Sequence, residues 1–169
     1  MGINWKTSAW LLLAALFWNA CYTFKGISIN PDVHTFYVSP FETAAPNAPP
    51  NMAFDFGERL KDKIRTETRL TLNEEKPDVE FSGKITEFRI VPVAPKPGEE
   101  IALNKLEVTV SVGMINNVDD KATWTSDRRF SFFKEFANDV DFLSVQDELI
   151  RQINDQLLED IFNAAFNNW

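Results

Sequence analysis

The chain's one cysteine, Cys21, comes directly after the small residue Ala20 and closely follows an unbroken apolar run from Trp10 to Trp18. A thiolate is the nucleophile that forms a thioether to lipid, and this is where bacterial lipoproteins carry theirs. Lys6 supplies the positive start of such a leader. The run is too short to span a bilayer, which takes about 20 apolar residues. The pattern predicts a signal peptide over residues 1–20 and lipid attachment at Cys21. Trp18 and Asn19 depart from the usual cleavage box, which has Leu three residues before the cysteine and a small residue two before it. With Cys21 acylated, Tyr22 and Phe24 sit at headgroup depth. Residues 21–32 then form the lipidated N-terminus and a short tether into a domain.

Few other residues suit chemistry. His34 is the only histidine, lies on a predicted strand and has no neighbouring His or Cys, so it reads as structural. Asp119-Asp120 and Asp139 with Asp141 lack the glycine and the distal glutamate of a calcium loop, and read as solvated turns. No Gly-rich phosphate loop or nucleophile elbow is present. One cysteine permits neither an internal disulfide nor a Cys-based zinc site. The expectation is a protein that is not an enzyme, with no cofactor and no metal.

The basic residues are more informative. Lys84, Arg89, Lys105, Arg128 and Arg129 fall on or beside predicted strands. If several share an uncovered sheet face they can ion-pair with phosphorylated sugars; otherwise they are ordinary surface charge. Formal net charge is −8, and a chain starting at Cys21 loses only Lys6, leaving 16 basic against 25 acidic residues, or −9. Nucleic acid is not expected as a partner, because a polyphosphate needs a basic footprint. Trp124, Phe130, Phe132, Phe133 and Phe136 crowd one region, and a half-buried strand cannot turn all of them inward.

The elements that must position these residues follow from periodicity. His34–Val38 is β-branched and aromatic and reads as a strand, whereas Pro40–Asn51, with four prolines, reads as a loop. Ala53, Phe56, Leu60 and Ile64 recur at helical spacing, predicting a helix from about Met52 to Thr66 with Asn51 as N-cap. Arg69–Leu72 is a short extended piece, and Asn73–Asp78 a turn. Val79–Val93 is a long strand with Phe81, Gly83 and Ile85 on one face. Leu106, Val108, Val110, Val112 and Met114 alternate strictly with polar residues and Gly113, the mark of one buried face. After a turn at Asn116–Asp120, Ala122–Phe133 is the fourth strand. Ser144 and Asp147 resemble a capping box opening a helix whose stripe is Leu149, Ile150, Ile153, Leu157, Ile161, Ala164 and Ala165. The order β-α-β-β-β-α predicts a two-layer α+β sandwich over residues 33–169. Its four-stranded mixed sheet has a parallel first pair, and both helices lie on one face.

Three stretches carry a family resemblance: the start CYTFKGISINPDVHTFYV, the strand LNKLEVTVSV and the tail DELIRQINDQLLEDIFNAAFNNW. Together they resemble the LPS-assembly lipoprotein LptE family from Cys21 to Trp169. The resemblance implies an outer-membrane lipoprotein on the periplasmic side. It would plug and help assemble the large LptD-like β-barrel, and assist passage of lipopolysaccharide to the outer leaflet. It also implies a four-stranded sheet with two helices. Some members contact lipopolysaccharide through basic residues, which makes Lys84, Arg89, Arg128 and Arg129 the candidates on charge alone. The alternative is a general periplasm-facing lipoprotein that chaperones or pilots another outer-membrane assembly.

Overall fold

A computed structural model describes residues 29–94 and 102–166. The predicted signal peptide and Cys21 lie outside these residues. The elements are β1 (Thr35–Val38), β2 (Glu42–Thr43), α1 (Met52–Glu67), β3 (Thr71–Leu72), β4 (Val79–Val93), β5 (Leu103–Asn116), a 3-10 turn (Asp120–Ala122), β6 (Arg128–Ala137) and α2 (Phe142–Phe166). The sheet is mixed and open, in the order β3-β1-β4-β5-β6, with β2 also pairing β4. β1 runs parallel to β4, whereas β4, β5 and β6 form an antiparallel meander. The α+β sandwich expected from the sequence is therefore present. It differs by two added two-residue strands, β2 and β3, which pair in parallel with β4 and β1.

The alternation in β5 does what its period requires. Leu106, Val108, Val110, Val112 and Met114 are buried under the helices, together with Phe81, Ile85 and Phe88 of β4. A register shift between Ile85 and Glu87 inserts Thr86 as an extra residue. This bulge lets Ile85 and Phe88, three residues apart, both face the core. The helical layer adds Phe56, Leu60 and Ile64 from α1 and Ile153, Leu157 and Ile161 from α2, all fully buried. Each such side chain contributes roughly 1.5–3 kcal/mol of transfer free energy. Ion pairs Arg59–Asp155 and Lys63–Glu159 tie the helices at one repeated offset, so α1 and α2 run parallel. Lys63 is held more basic than usual: burial opposes its charge, but hydrogen bonds to Glu159 and Glu67 outweigh it. Among the described residues no helix is long and apolar enough to cross a membrane.

Element ends and caps differ from expectation in several places, the end of the fourth strand at Ala137 rather than Phe133 among them. Asn51 stands at the α1 N-cap but makes no side-chain cap bond; the Met52 N–H donates instead to the Pro49 carbonyl at 3.1 Å. The fourth strand begins at Arg128 rather than Ala122. Buried Asn116 accepts N–H groups from Val118 and Asp119, and Thr123 Oγ1 accepts from the Asn116 N–H. These bonds hold an irregular corner until the Trp124 N–H reaches the Met114 carbonyl. The last helix begins at Phe142, before the expected capping box, because the Phe142 ring packs on Phe136 and Phe88, 5.7 and 6.4 Å between centroids. Ser144 lies inside the first turn, and its hydroxyl donates to the Asp141 carbonyl.

The join between β1 and β4 is clamped by one carboxylate. Asp78 Oδ2 accepts the His34 and Thr35 N–H groups at 2.8 and 2.9 Å, and the Asp78 N–H donates to Thr35 Oγ1. The His34 N–H, then Thr35, holds this carboxyl below its ordinary value against a modest burial penalty. Because its pKa is depressed on folding, its contribution is present above the ordinary value and is lost as pH falls through the folded one. Asp78→Ala is expected to cost about 1 kcal/mol at neutral pH in urea unfolding. The gap from wild type should close once the pH drops below the ordinary carboxylate range near about 4. A gap that stays constant with pH would contradict this role.

Candidate functional site

Both helices lie on one side of the sheet, so the opposite face is uncovered among the described residues. Strand register specifies what it presents, since residues paired across neighbouring strands share a face. Across β4, β5 and β6 the rows are Val93, Leu103 and Ala137; Val91, Lys105 and Glu135; Arg89, Glu107 and Phe133; Glu87, Thr109 and Ser131; and Lys84, Ser111 and Arg129, after which β4 and β5 continue the face with Ser82 beside Gly113 and Glu80 beside Ile115. Glu42 of β2 pairs beside Lys84.

This face separates the candidate basic residues into three groups. Arg89 bridges Glu107 at 3.1 Å and Glu87 at 3.5 Å, and Lys105 reaches Glu107 at 3.6 Å, so their charges are already matched. Lys84 and Arg129 share one row on either side of Ser111, roughly 10 Å apart at the backbone by two strand spacings. Both are exposed, and neither has an ion-pair partner among the described residues. Arg128, the adjacent residue on β6, faces the other way, with its guanidinium 4.4 Å from the Trp124 ring centroid. Consecutive strand residues point to opposite faces, so Arg128 and Arg129 cannot act together on one flat ligand.

The middle of the face is a hydrogen-bonded polar row. The Thr109 hydroxyl lies 3.1 Å from Ser131 Oγ and 3.4 Å from Glu87 Oε2. The aromatic crowd divides as alternation requires. Trp124 and Phe136 are buried, Phe130 and Phe132 pack partly on the core, and Phe133 is exposed on the uncovered face beneath Lys105 Nζ. His34 is exposed just ahead of β1 and serves the fold through its backbone, whose carbonyl accepts the Thr71 N–H. Asp119 takes the Lys121 N–H at the 3-10 turn. Among the described residues no group of three or more His, Cys, Asp or Glu side chains is placed to hold a metal.

Two features carry little signal in the sequence. Phe41, inside the proline-rich loop, is a buried core residue. Asn154 is a buried polar residue on the apolar stripe of α2, and only its position between Ile153 and Leu157 marks it out.

The family model described as LptE: Lipopolysaccharide-assembly matches residues 33–165. A comparison with curated proteins finds no match. Among solved structures, the chain is similar to a minor lipoprotein from Acinetobacter baumannii, at 13% identity over 73% of this chain and 88% of that one, TM-score 0.47. It is similar to an uncharacterized lipoprotein B from Nitrosomonas europaea at 13% identity, over 81% and 88%, TM-score 0.47. A rare lipoprotein B from Shewanella oneidensis is 8% identical over 76% of this chain and 89% of its own, TM-score 0.46.

Proposed function

The chain belongs to the LptE lipopolysaccharide-assembly family, and from that membership we propose that it is the lipid-anchored partner of an LptD-like outer-membrane β-barrel, serving as its plug and assembly factor during lipopolysaccharide insertion. The observation that carries this reading is the family match, which takes in every strand, all of α1 and α2 as far as Ala165. The family is non-enzymatic. In the proposal residues 1–20 are removed, Cys21 is acylated, residues 21–32 lead from the membrane, and the domain runs to residue 169. The protein then sits on the periplasmic face of the outer membrane.

The fold suits the role. A rigid sandwich fills a wide lumen without moving parts, and a sheet face of interleaved positive and negative charge suits the polar inner wall of a barrel. A lipid at the N-terminus raises the domain's effective concentration beside an integral membrane partner.

For direct contact with lipopolysaccharide, the proposal narrows the four basic candidates to Lys84 and Arg129. Arg89 is occupied by two glutamates, and Arg128 is stacked on Trp124 on the opposite side. Reversing both charges, Lys84→Glu with Arg129→Glu, should weaken binding to lipopolysaccharide aggregates by about tenfold or more, the loss expected for two charge-assisted contacts. Arg128→Glu should change binding far less. Binding unaltered by the double reversal would make the row plain surface charge and leave the barrel partnership without a glycolipid contact here.

A further inference from the structure

β6 is the last strand in the sheet order, and among the described residues no strand pairs with its outer side. Natural sheets blunt such an edge by keeping it short or by setting a proline or a bulge into it. This edge runs for 10 residues without proline or glycine, and its register on β5 is unbroken.

Backbone bonds at the ends of the ladders identify the groups that the edge presents. The Asn138 N–H donates to the Ala102 carbonyl at 2.9 Å, and the Asn117 N–H to the Asp78 carbonyl at 2.7 Å. Antiparallel strands exchange bonds at every second pair, so even-numbered residues of β5 bond to β6 and odd-numbered ones to β4. The register then makes Phe130, Phe132, Lys134 and Phe136 the residues of β6 that bond inward. Arg129, Ser131, Phe133 and Glu135 aim their N–H and C=O groups outward. Next in that series, the Ala137 carbonyl accepts the Val140 N–H at 3.2 Å, which closes the edge at that end.

The side chains of the same four residues are exposed on the uncovered sheet face, Phe133 at 44%. Arg129 and Glu135 stand at equal distances on either side of Phe132, and neither has an ion-pair partner among the described residues. Antiparallel pairing with an identical strand about Phe132 sets Arg129 opposite Glu135 and Ser131 opposite Phe133, each twice by two-fold symmetry. All four are outward residues, so one register satisfies both the backbone and the charges. Of the neighbouring registers that also match outward groups, one sets Glu135 against Asp127 and the other sets Arg129 against Ala137. Neither forms the ion pair. About Phe132, the two exposed Phe133 rings also become diagonal neighbours across the seam, within aromatic reach.

We propose that the outer edge of β6 pairs with β6 of a second copy of this chain, antiparallel about Phe132, with Arg129 of each copy meeting Glu135 of the other. The two sheets then join into one, with all the helices on the same side. This pairing goes beyond the family role: it belongs to the chain free of its barrel, and it withdraws Arg129 from the row offered to a glycolipid.

The test is sedimentation equilibrium of the full-length chain in density-matched detergent, with micelles in excess and urea unfolding to verify that each variant is folded. Wild type should show a monomer–dimer equilibrium. Arg129→Glu and Glu135→Arg should each weaken dimerisation by about tenfold or more, since each turns both cross-strand attractions into repulsions. The two variants shift the net charge of −8 in opposite directions. Diffuse repulsion between acidic chains would therefore make Glu135→Arg associate more tightly, and that result would overturn the proposal. An equimolar mixture of the two variants should recover wild-type affinity, because a mixed pair again sets opposite charges across the seam at both positions. Dimers that neither variant weakens, or a mixture no tighter than the variants alone, would overturn the pairing. So would a wild type that stays monomeric at about 100 µM.

Discussion

Gly83→Ala is expected to destabilise the domain by about 3 kcal/mol, the upper range for forcing volume into a packed core. A Cβ at Gly83 would stand 2.7 Å from Phe41 Cζ, still closer to Phe41 Cε1, and 2.9 Å from the Ser111 carbonyl oxygen. The ring belongs to the segment after β1 that the proline content marks as loop. It is buried flat against β4 and meets Phe56 of α1 at 5.4 Å between centroids. Glycine is thus needed at position 83 for space, with the ring acting as a wedge between sheet and helix. The wedge cannot slide away, because the segment just beyond it is tied to β4: the Ala44 and Ala45 N–H groups both donate to the Ile85 carbonyl. Phe41→Ala should cost about 3–5 kcal/mol by the cavity it leaves. The double variant should lose clearly less than the two losses together, because removing the ring relieves part of the clash and leaves only the Ser111 oxygen. Urea unfolding of the four proteins measures this. Strict additivity would show that the ring and the glycine do not share this space.

Cys21→Ser is expected to have the largest effect on where the protein resides. Each buried methylene holds an acyl chain in the leaflet by roughly 0.8 kcal/mol, and two or more chains make anchoring stable where one is marginal. A serine at this position cannot form the thioether, so the chain should move from the membrane to the soluble fraction and lose palmitate labelling. Loss of the tether should also lower engagement of a membrane partner by about two orders of magnitude at limiting expression. Membrane retention undiminished by the substitution would place the anchor elsewhere, most simply in an uncleaved Trp10–Trp18 segment.

The layers of this fold are legible where a local pattern carries long-range information. The two-residue period of Leu106–Met114 announces a central strand with one buried face, and the spacing of Ala53, Phe56, Leu60 and Ile64 announces a helix laid on a sheet. What escapes a linear reading depends on partners distant in sequence. Phe41 looks like loop because its burial depends on Gly83, and β2 pairs with β4 across the same interval. The start of β6 moves to Arg128 because Asn116 and Thr123 hold an irregular corner ahead of it. The start of α2 moves because Phe142 finds two aromatic partners.

The same distinction applies to the basic residues. That Arg128 and Arg129 face opposite ways follows from adjacency alone, whereas the row of Lys84, Ser111 and Arg129 depends on strand register. Without the bulge at Thr86, the residues of β4 beyond it would present the other face, and Arg89 would not meet Glu107.

The partnership with a β-barrel is the center of the proposed function, and recovery of the tagged full-length chain from detergent-solubilised envelopes tests it most directly. The account predicts a large outer-membrane β-barrel protein recovered in near-equal amount with the wild-type chain. Recovery of the folded, lipidated chain without any such barrel would contradict it and favour a lipoprotein that pilots some other outer-membrane assembly.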